Sequence, residues 1–220
     1  MTTPISYTDT GEIASYVPSL SSDPSTVTAT VLGLLITRVS RQIDDITHRR
    51  FYTSTGDETV YLNGNGKPRL YDMPYDIVSI TTLALAADTV KATSGTYTTI
   101  STGDYYLQPS YPTNGWPYQW IELSNQPSGN YSTSFSYTVF PEGYNTVKAI
   151  GKLGWGATGS SSVPDGIRHV ATELVVRAWR GRDMNFSDVV GVEGLGTATF
   201  SRRIPADLQD ILDHYTRQKA

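Results

Sequence analysis

The sequence predicts an α+β protein, a small helical bundle of three main helices with a large antiparallel β insertion between the first and the second. Apolar residues recur every three to four positions near both ends of the chain, the period of a helix with one buried face. Between residues 52 and 156 that period gives way to short alternating runs separated by Gly-, Pro- and Asn-rich clusters. The 220 residues also include 51 Ser plus Thr and 15 Tyr, which suits half-buried strands and hydroxyl-rich loops.

Residues 1–22 are rich in Ser, Thr and Pro without periodicity and read as an N-terminal arm, ordered only against a partner, with no element of its own. Asp23-Pro24 offers an N-cap acceptor followed by a proline whose missing N–H costs nothing in a first turn, so the first helix is expected over 23–51. Val31, Leu35, Val39, Ile43 and Ile46, flanked by Leu32 and Ile36, form its stripe. Arg38, Arg41 and Asp45 lie opposite, with Asp45 and Arg49 at the spacing of a surface pair. Gly33 and the β-branched residues are mediocre helix formers, so packing has to hold this helix.

In the β insertion, 52–156, Tyr61-Leu62 and Arg69-Leu70-Tyr71 flank Asn63-Gly64-Asn65-Gly66, the composition of a tight hairpin turn. Further strands are expected at Ile77–Leu85, Thr96–Ile100, Tyr105–Gln108, Trp120–Leu123, Ser132–Phe140 and Thr146–Leu153, making an antiparallel sheet or small barrel. In 157–220 helical periodicity returns at Pro164: Ile167, Val170, Ala171, Leu174, Val175, Ala178 and Trp179 share one face, and Gly181 is the expected stop. Residues 191–196, Gly-Val-Glu-Gly-Leu-Gly, read as a flexible linker. Ile204-Pro205 then opens a third helix with Leu208, Ile211, Leu212 and Tyr215 on one face, and with Asp207 near its start and Arg217 and Lys219 near its end, as the helix dipole favours.

Composition removes several functions. With no Cys there is no disulfide scaffold, thiolate zinc site, iron-sulfur cluster or cysteine nucleophile. A net charge of -4 does not suit a chain that grips phosphate backbones. No apolar run reaches 18 residues, and Met1-Thr2-Thr3-Pro4 lacks the basic start of a signal peptide, so a soluble chain beginning at Met1 and away from membranes is expected.

The motifs that carry chemistry are weak. His169 and Glu173 stand four apart and His48 and His214 are available elsewhere, but no His-Glu-x-x-His spacing occurs, so no metal site is expected. Asp44 and Asp45 point about 100° apart on a helix and do not flank one bond; they read as solvated, paired with His48 and Arg49. No Gly-x-Ser-x-Gly elbow is present, and the glycines of 191–196 lack the Lys-Ser/Thr ending of a phosphate loop. The chain is therefore expected to be no enzyme and to hold no cofactor. Tyr111, Trp116, Tyr118 and Trp120 offer the rival reading, a β-rich carbohydrate- or receptor-binding module of a tail.

Charge type is uneven: 11 of the 12 Arg lie in 38–50 and 168–217, whereas 51–163 holds five basic and eight acidic residues. Helical faces bearing Arg suit protein partners. The order of elements resembles the head-tail connector, or adaptor, proteins of long-tailed bacteriophages. The resemblance rests on the first helix ending in residues 40–52, SRQIDDITHRRFY; the 61–66 turn, YLNGNG; residues 73–80, MPYDIVSI; residues 147–156, VKAIGKLGWG, running into 163–171, VPDGIRHVA; and residues 205–215, PADLQDILDHY. It implies a structural virion protein in the neck between capsid and tail, assembled in the host cytoplasm. The expected partners are the portal protein, a head-closure (stopper) or tail protein, and further copies of itself in a twelve-fold ring that extends the DNA channel. Genomic DNA would pass through the lumen without specific binding, repelled by a ring charge of about -48 at -4 per copy. The resemblance places the portal interface at Asp213, His214, Tyr215, Thr216, Arg217, Gln218, Lys219 and Ala220. Arg177, Arg180, Arg182, Arg202 and Arg203 are the candidates for contacts between subunits or with the portal.

Overall fold

A computed structural model describes residues 6–17, 26–86, 96–110, 116–124, 138–156, 163–183, 189–192, 196–199 and 204–217. Its architecture is α+β, with helices α1 (Thr10–Tyr16), α2 (Thr26–Thr47), α3 (Asp165–Asp183) and α4 (Ala206–Tyr215) and antiparallel strands β1 (Glu58–Gly64), β2 (Arg69–Leu70), β3 (Ile77–Leu85), β4 (Thr98–Ile100), β5 (Tyr105–Gln108), β6 (Trp120–Leu123), β7 (Gly143–Leu153), β8 (Val189–Val192) and β9 (Gly196–Thr199). The chain divides into two compact units, one of Met1–Arg49 with Val163–Lys219 and one of Arg50–Ser162.

In the helical unit α2 and α3 pack on each other, α1 packs on both, and so does α4. The stripe expected from the sequence is buried in part: Leu32, Ile36, Val39 and Ile43 of α2 are buried while Val31, Leu35 and Ile46 are half-buried, and α2 packs on α3, which buries Ile167, Val170, Ala171, Val175 and Trp179, and on α4, which buries Leu208 and Leu212. Each fully buried Leu or Ile contributes about 1.5–3 kcal/mol by leaving water, which offsets the weak intrinsic propensity of α2. Thr47 ends α2 by bonding its hydroxyl back to the Ile43 carbonyl at 2.8 Å, and His48 turns the chain at φ 53°.

The N-terminal arm is where the sequence reading fails first. Asp9 caps α1 by accepting the Glu12 N–H at 2.8 Å, and Ile13 is fully buried beneath the helix. Tyr7, 1% exposed, gives its backbone N–H to Ser40 Oγ at 3.1 Å and its hydroxyl to Asp44, while the Thr8 and Thr172 hydroxyls meet at 2.8 Å. Asp44 also pairs with Arg41 at 2.9 Å, and Arg49 is buried where a solvated surface position was expected.

The second unit holds two sheets, β1-β7-β3-β4 and β2-β6-β5, around a shared core that includes Leu62, Leu70, Ile77, Leu83, Leu85, Ile121, Phe140, Val147 and Leu153. An antiparallel bridge between Ile77 and Tyr118 joins the sheets, with bonds of 2.7 and 3.0 Å. The expected hairpin at 61–71 is absent: β1 pairs with β7 and β2 with β6, so the Asn-Gly turn carries the chain from one sheet to the other. Asn65 holds that turn, its side chain accepting from Lys67 N at 3.0 Å and donating to Arg69 O at 2.8 Å. Most of the expected Ser132–Phe140 strand lies outside the described residues.

The unit's first and last described residues are tied together. Trp155 N donates to Arg50 O at 2.9 Å, Thr53 bridges Gly154, and Arg50 Nη2 reaches Leu153 O at 2.8 Å. The Arg50 guanidinium lies 4.1 Å from the Tyr75 ring centre and 5.0 Å from that of Tyr52, and pairs with Glu58 at 3.1 Å. Gly154 is required here: its φ is +117°, and a β-carbon would fall 1.9 Å from Tyr52 O.

Beyond α3, residues expected as a flexible linker form a two-stranded ladder. Val189 pairs with Thr199 and Val192 with Gly196, with the intervening 193–195 outside the described residues. The β-branched Val189, Val190, Val192, Thr197 and Thr199 favour extended backbone more than the glycines oppose it.

Candidate assembly surface

Of the residues singled out for assembly, the described ones sit on α3, on α4 and just after α4. On α4, Leu208 and Leu212 face the core, so Asp207, Asp210 and Asp213, three residues apart, form an exposed acidic line. Gln209 Nε2 holds Asp213 at 2.7 Å, and His214, exposed in the last turn, stacks edge-on against Tyr215 at 5.2 Å.

The end of α4 does not project freely. Tyr215 lies over Gly166 in the first turn of α3, where a β-carbon would stand 3.2 Å from Tyr215 Cε2 and 3.3 Å from Ile211 Cγ2. Burial, followed by the Asp165 carboxylate, raises the pKa of the Tyr215 hydroxyl. Thr216 bonds back to Leu212 O at 2.9 Å, and the Arg217 N–H donates to Thr47 O at 2.9 Å, closing the end of α2. Asp213 and His214 are therefore presented outward, whereas Tyr215 to Arg217 clamp the helical unit; Gln218, Lys219 and Ala220 lie outside the described residues.

On α3, Arg177 and Arg180 are exposed and three apart, and Arg177 approaches Glu173 at 4.0 Å. Arg182 is in the last turn of α3, with its side chain outside the described residues, as are Arg202 and Arg203 entirely. The α3 surface is thus basic where that of α4 is acidic.

The other sequence candidates do not assemble into a site. Glu173 is engaged by Arg177, and among the described residues no group of three His, Asp or Glu is arranged to hold a metal ion. Among them also, no helix is long and apolar enough to cross a membrane. The aromatic row separates: Trp116 packs edge-on against Trp155 at 4.8 Å, Tyr118 bridges Ile77, and Trp120 packs against Tyr71 at 5.4 Å; Tyr111 lies outside the described residues. The clamp at Tyr215 and the latch at Tyr7 were missed because both depend on partners far away in sequence.

No protein-family model and no curated protein matches the sequence. Among solved structures the fold is similar to a chain in the neck of a native gene transfer agent (GTA) particle computed with C12 symmetry, at 13% identity and a TM-score of 0.51, over 98% of this chain and 96% of that one. It is similar also to a chain in the neck of an empty GTA particle computed with C6 symmetry, at 13% identity and a TM-score of 0.51, over 87% of this chain and 80% of that one. At that identity the likeness is one of fold, and it runs through the helical and the β unit alike.

Proposed function

We propose that the chain is a structural, non-enzymatic protein of the neck of a phage-like virion, a head-tail adaptor built as a small helical bundle with a β insertion. The observation that carries this reading is the fold shared along 98% of this chain and 96% of a chain from a particle neck. The motif order that resembles phage adaptors supports it independently. Copies close into a ring of twelve below the portal protein, extend the DNA channel, and receive a head-closure or tail protein; assembly takes place in the host cytoplasm.

A closed ring needs two different, complementary patches on each subunit. The Arg177 and Arg180 surface of α3 and the Asp207, Asp210 and Asp213 line of α4 are such a pair in charge. The portal interface falls at the outward-facing Asp213 and His214, with Arg182, Arg202 and Arg203 as further Arg contacts. Twelve copies carry about -48, so the duplex slides through the lumen without being held.

Negative-stain imaging of the purified protein mixed with the portal of the same particle tests the reading. A twelve-fold ring on the portal is expected, depleted by the double substitution Arg177→Glu and Arg180→Glu. Absence of any ring on the portal under all conditions overturns it.

A further inference from the structure

The outer face of the β2-β6-β5 sheet carries two rows of side chains, the first crossing all three strands and the second running from β5 through β6 to Tyr71, just past the end of β2. Glu122 stands opposite both Arg69 and Tyr106, which sets the first row. Trp120 stands opposite Gln108, and its ring lies 5.4 Å from that of Tyr71, which sets the second. Strand alternation turns all six away from the core. With strands about 4.8 Å apart and same-face residues about 6.8 Å apart along a strand, the patch measures about 10 by 7 Å, the footprint of one or two hexose rings.

The face is aromatic yet not buried: Tyr106 is 54% and Tyr71 39% exposed. Its polar groups are already fixed in place, since Glu122 Oε1 accepts from Arg69 Nε at 2.9 Å and Glu122 Oε2 from Gln108 Nε2 at 3.1 Å. Glu122, and secondarily Tyr71, raise the pKa of Arg69. The indole N–H of Trp120 is buried with no hydrogen-bond acceptor among the described residues, a costly state for a polar group. Charge decides the class of occupant: Arg69 and Glu122 cancel, and no Lys or Arg occurs from 92 to 147. A phosphate, sulfate or nucleic acid strand finds no net charge to pair with here. What fits is a neutral molecule with an apolar C–H face and a rim of hydroxyls.

We propose that this sheet face binds a neutral oligosaccharide. A sugar ring stacks on Trp120 between Tyr71 and Tyr106, and its hydroxyls bond to Glu122, Gln108 and Arg69.

The test is a titration of the full-length protein with cellohexaose, maltohexaose and chitohexaose, each to about 10 mM, read by intrinsic tryptophan fluorescence. A saturable change with at least one of the three is expected. Tyr106→Ala, which removes an exposed ring and no core packing, is expected to weaken it at least about tenfold. Tyr144→Ala, at a 71% exposed position on β7, leaves it unchanged. The proposal is overturned if none of the three sugars saturates, if Tyr106→Ala binds like the parent, if Tyr144→Ala weakens binding as much, or if hexagalacturonate binds more tightly than every neutral sugar.

Discussion

Tyr215 shows how one ring joins three helices: it covers Gly166 on α3, belongs to α4, and stands two residues before the Arg217 N–H that closes α2. Its hydroxyl has a pKa raised above 10.0 by burial, with Asp165 adding to it. Below that value the phenol is neutral whether the chain is folded or unfolded, and its contribution is complete. As pH climbs past 10.0 the unfolded chain ionises first, so stability falls until the folded pKa is passed. Tyr215→Phe keeps the ring over Gly166 and removes that drain. The loss in urea midpoint between about pH 8 and about pH 11 is then smaller than in the parent, and an equal loss refutes the assignment. Burial raises Tyr105 in the same sense, so part of the alkaline loss remains. None of this was legible in the sequence, which placed Tyr215 on an apolar face but gave no sign of Gly166 beneath it. The Tyr7 to Asp44 bond was equally hidden, its partners being 37 positions apart.

At the scale of elements, local pattern was read well wherever it was strong. Ile77–Leu85, Tyr105–Gln108 and Trp120–Leu123 are strands over the expected residues, and the stripes of α2 and α3 supply their buried faces, with Val31, Leu35, Ile46, Leu174 and Ala178 half-buried at the edges. Helix α1 was lost in the Ser, Thr and Pro content around it, although Asp9 and Glu12 stand at the spacing of a cap and the first turn it serves. What makes α1 a helix is burial of Ile13, at 0% exposure, more than propensity. Ile13→Ala is therefore expected to destabilise the helical unit by about 2–5 kcal/mol, measured by urea unfolding; a cost under about 1 kcal/mol means the arm is not docked in solution. The Asn-Gly segment at 63–66 marks the break between β1 and β2, yet its composition does not say which strands will pair. Hydrogen-bond partners for β1 and β2 come from β7 and β6, far along the chain.

For the whole molecule, composition was informative and topology was not. The Arg-rich helical segments and the Arg-poor, Ser/Thr/Tyr-rich middle are plain in the sequence, while the order β1-β7-β3-β4 beside β2-β6-β5 is decided by which apolar residues share a core. The candidate assembly residues were named from resemblance, and the structure adds that Asp213 and His214 face out while Tyr215 to Arg217 face home. The bond between Arg50 and Trp155 has a thermodynamic meaning for the rest of the chain. Closing a loop costs entropy that grows only slowly with length, about 0.6 kcal/mol per doubling, and a folded insertion with joined ends closes that loop within itself. To the helices, residues 50–162 count as a short connection however many strands they hold. Replacing them with a short Gly-Ser linker between Arg49 and Val163 should leave a helical, cooperatively unfolding protein by far-UV circular dichroism; a chain without helix shows that the closure idea is wrong. In loop-closure entropy alone, the size of the β unit is thus a free variable.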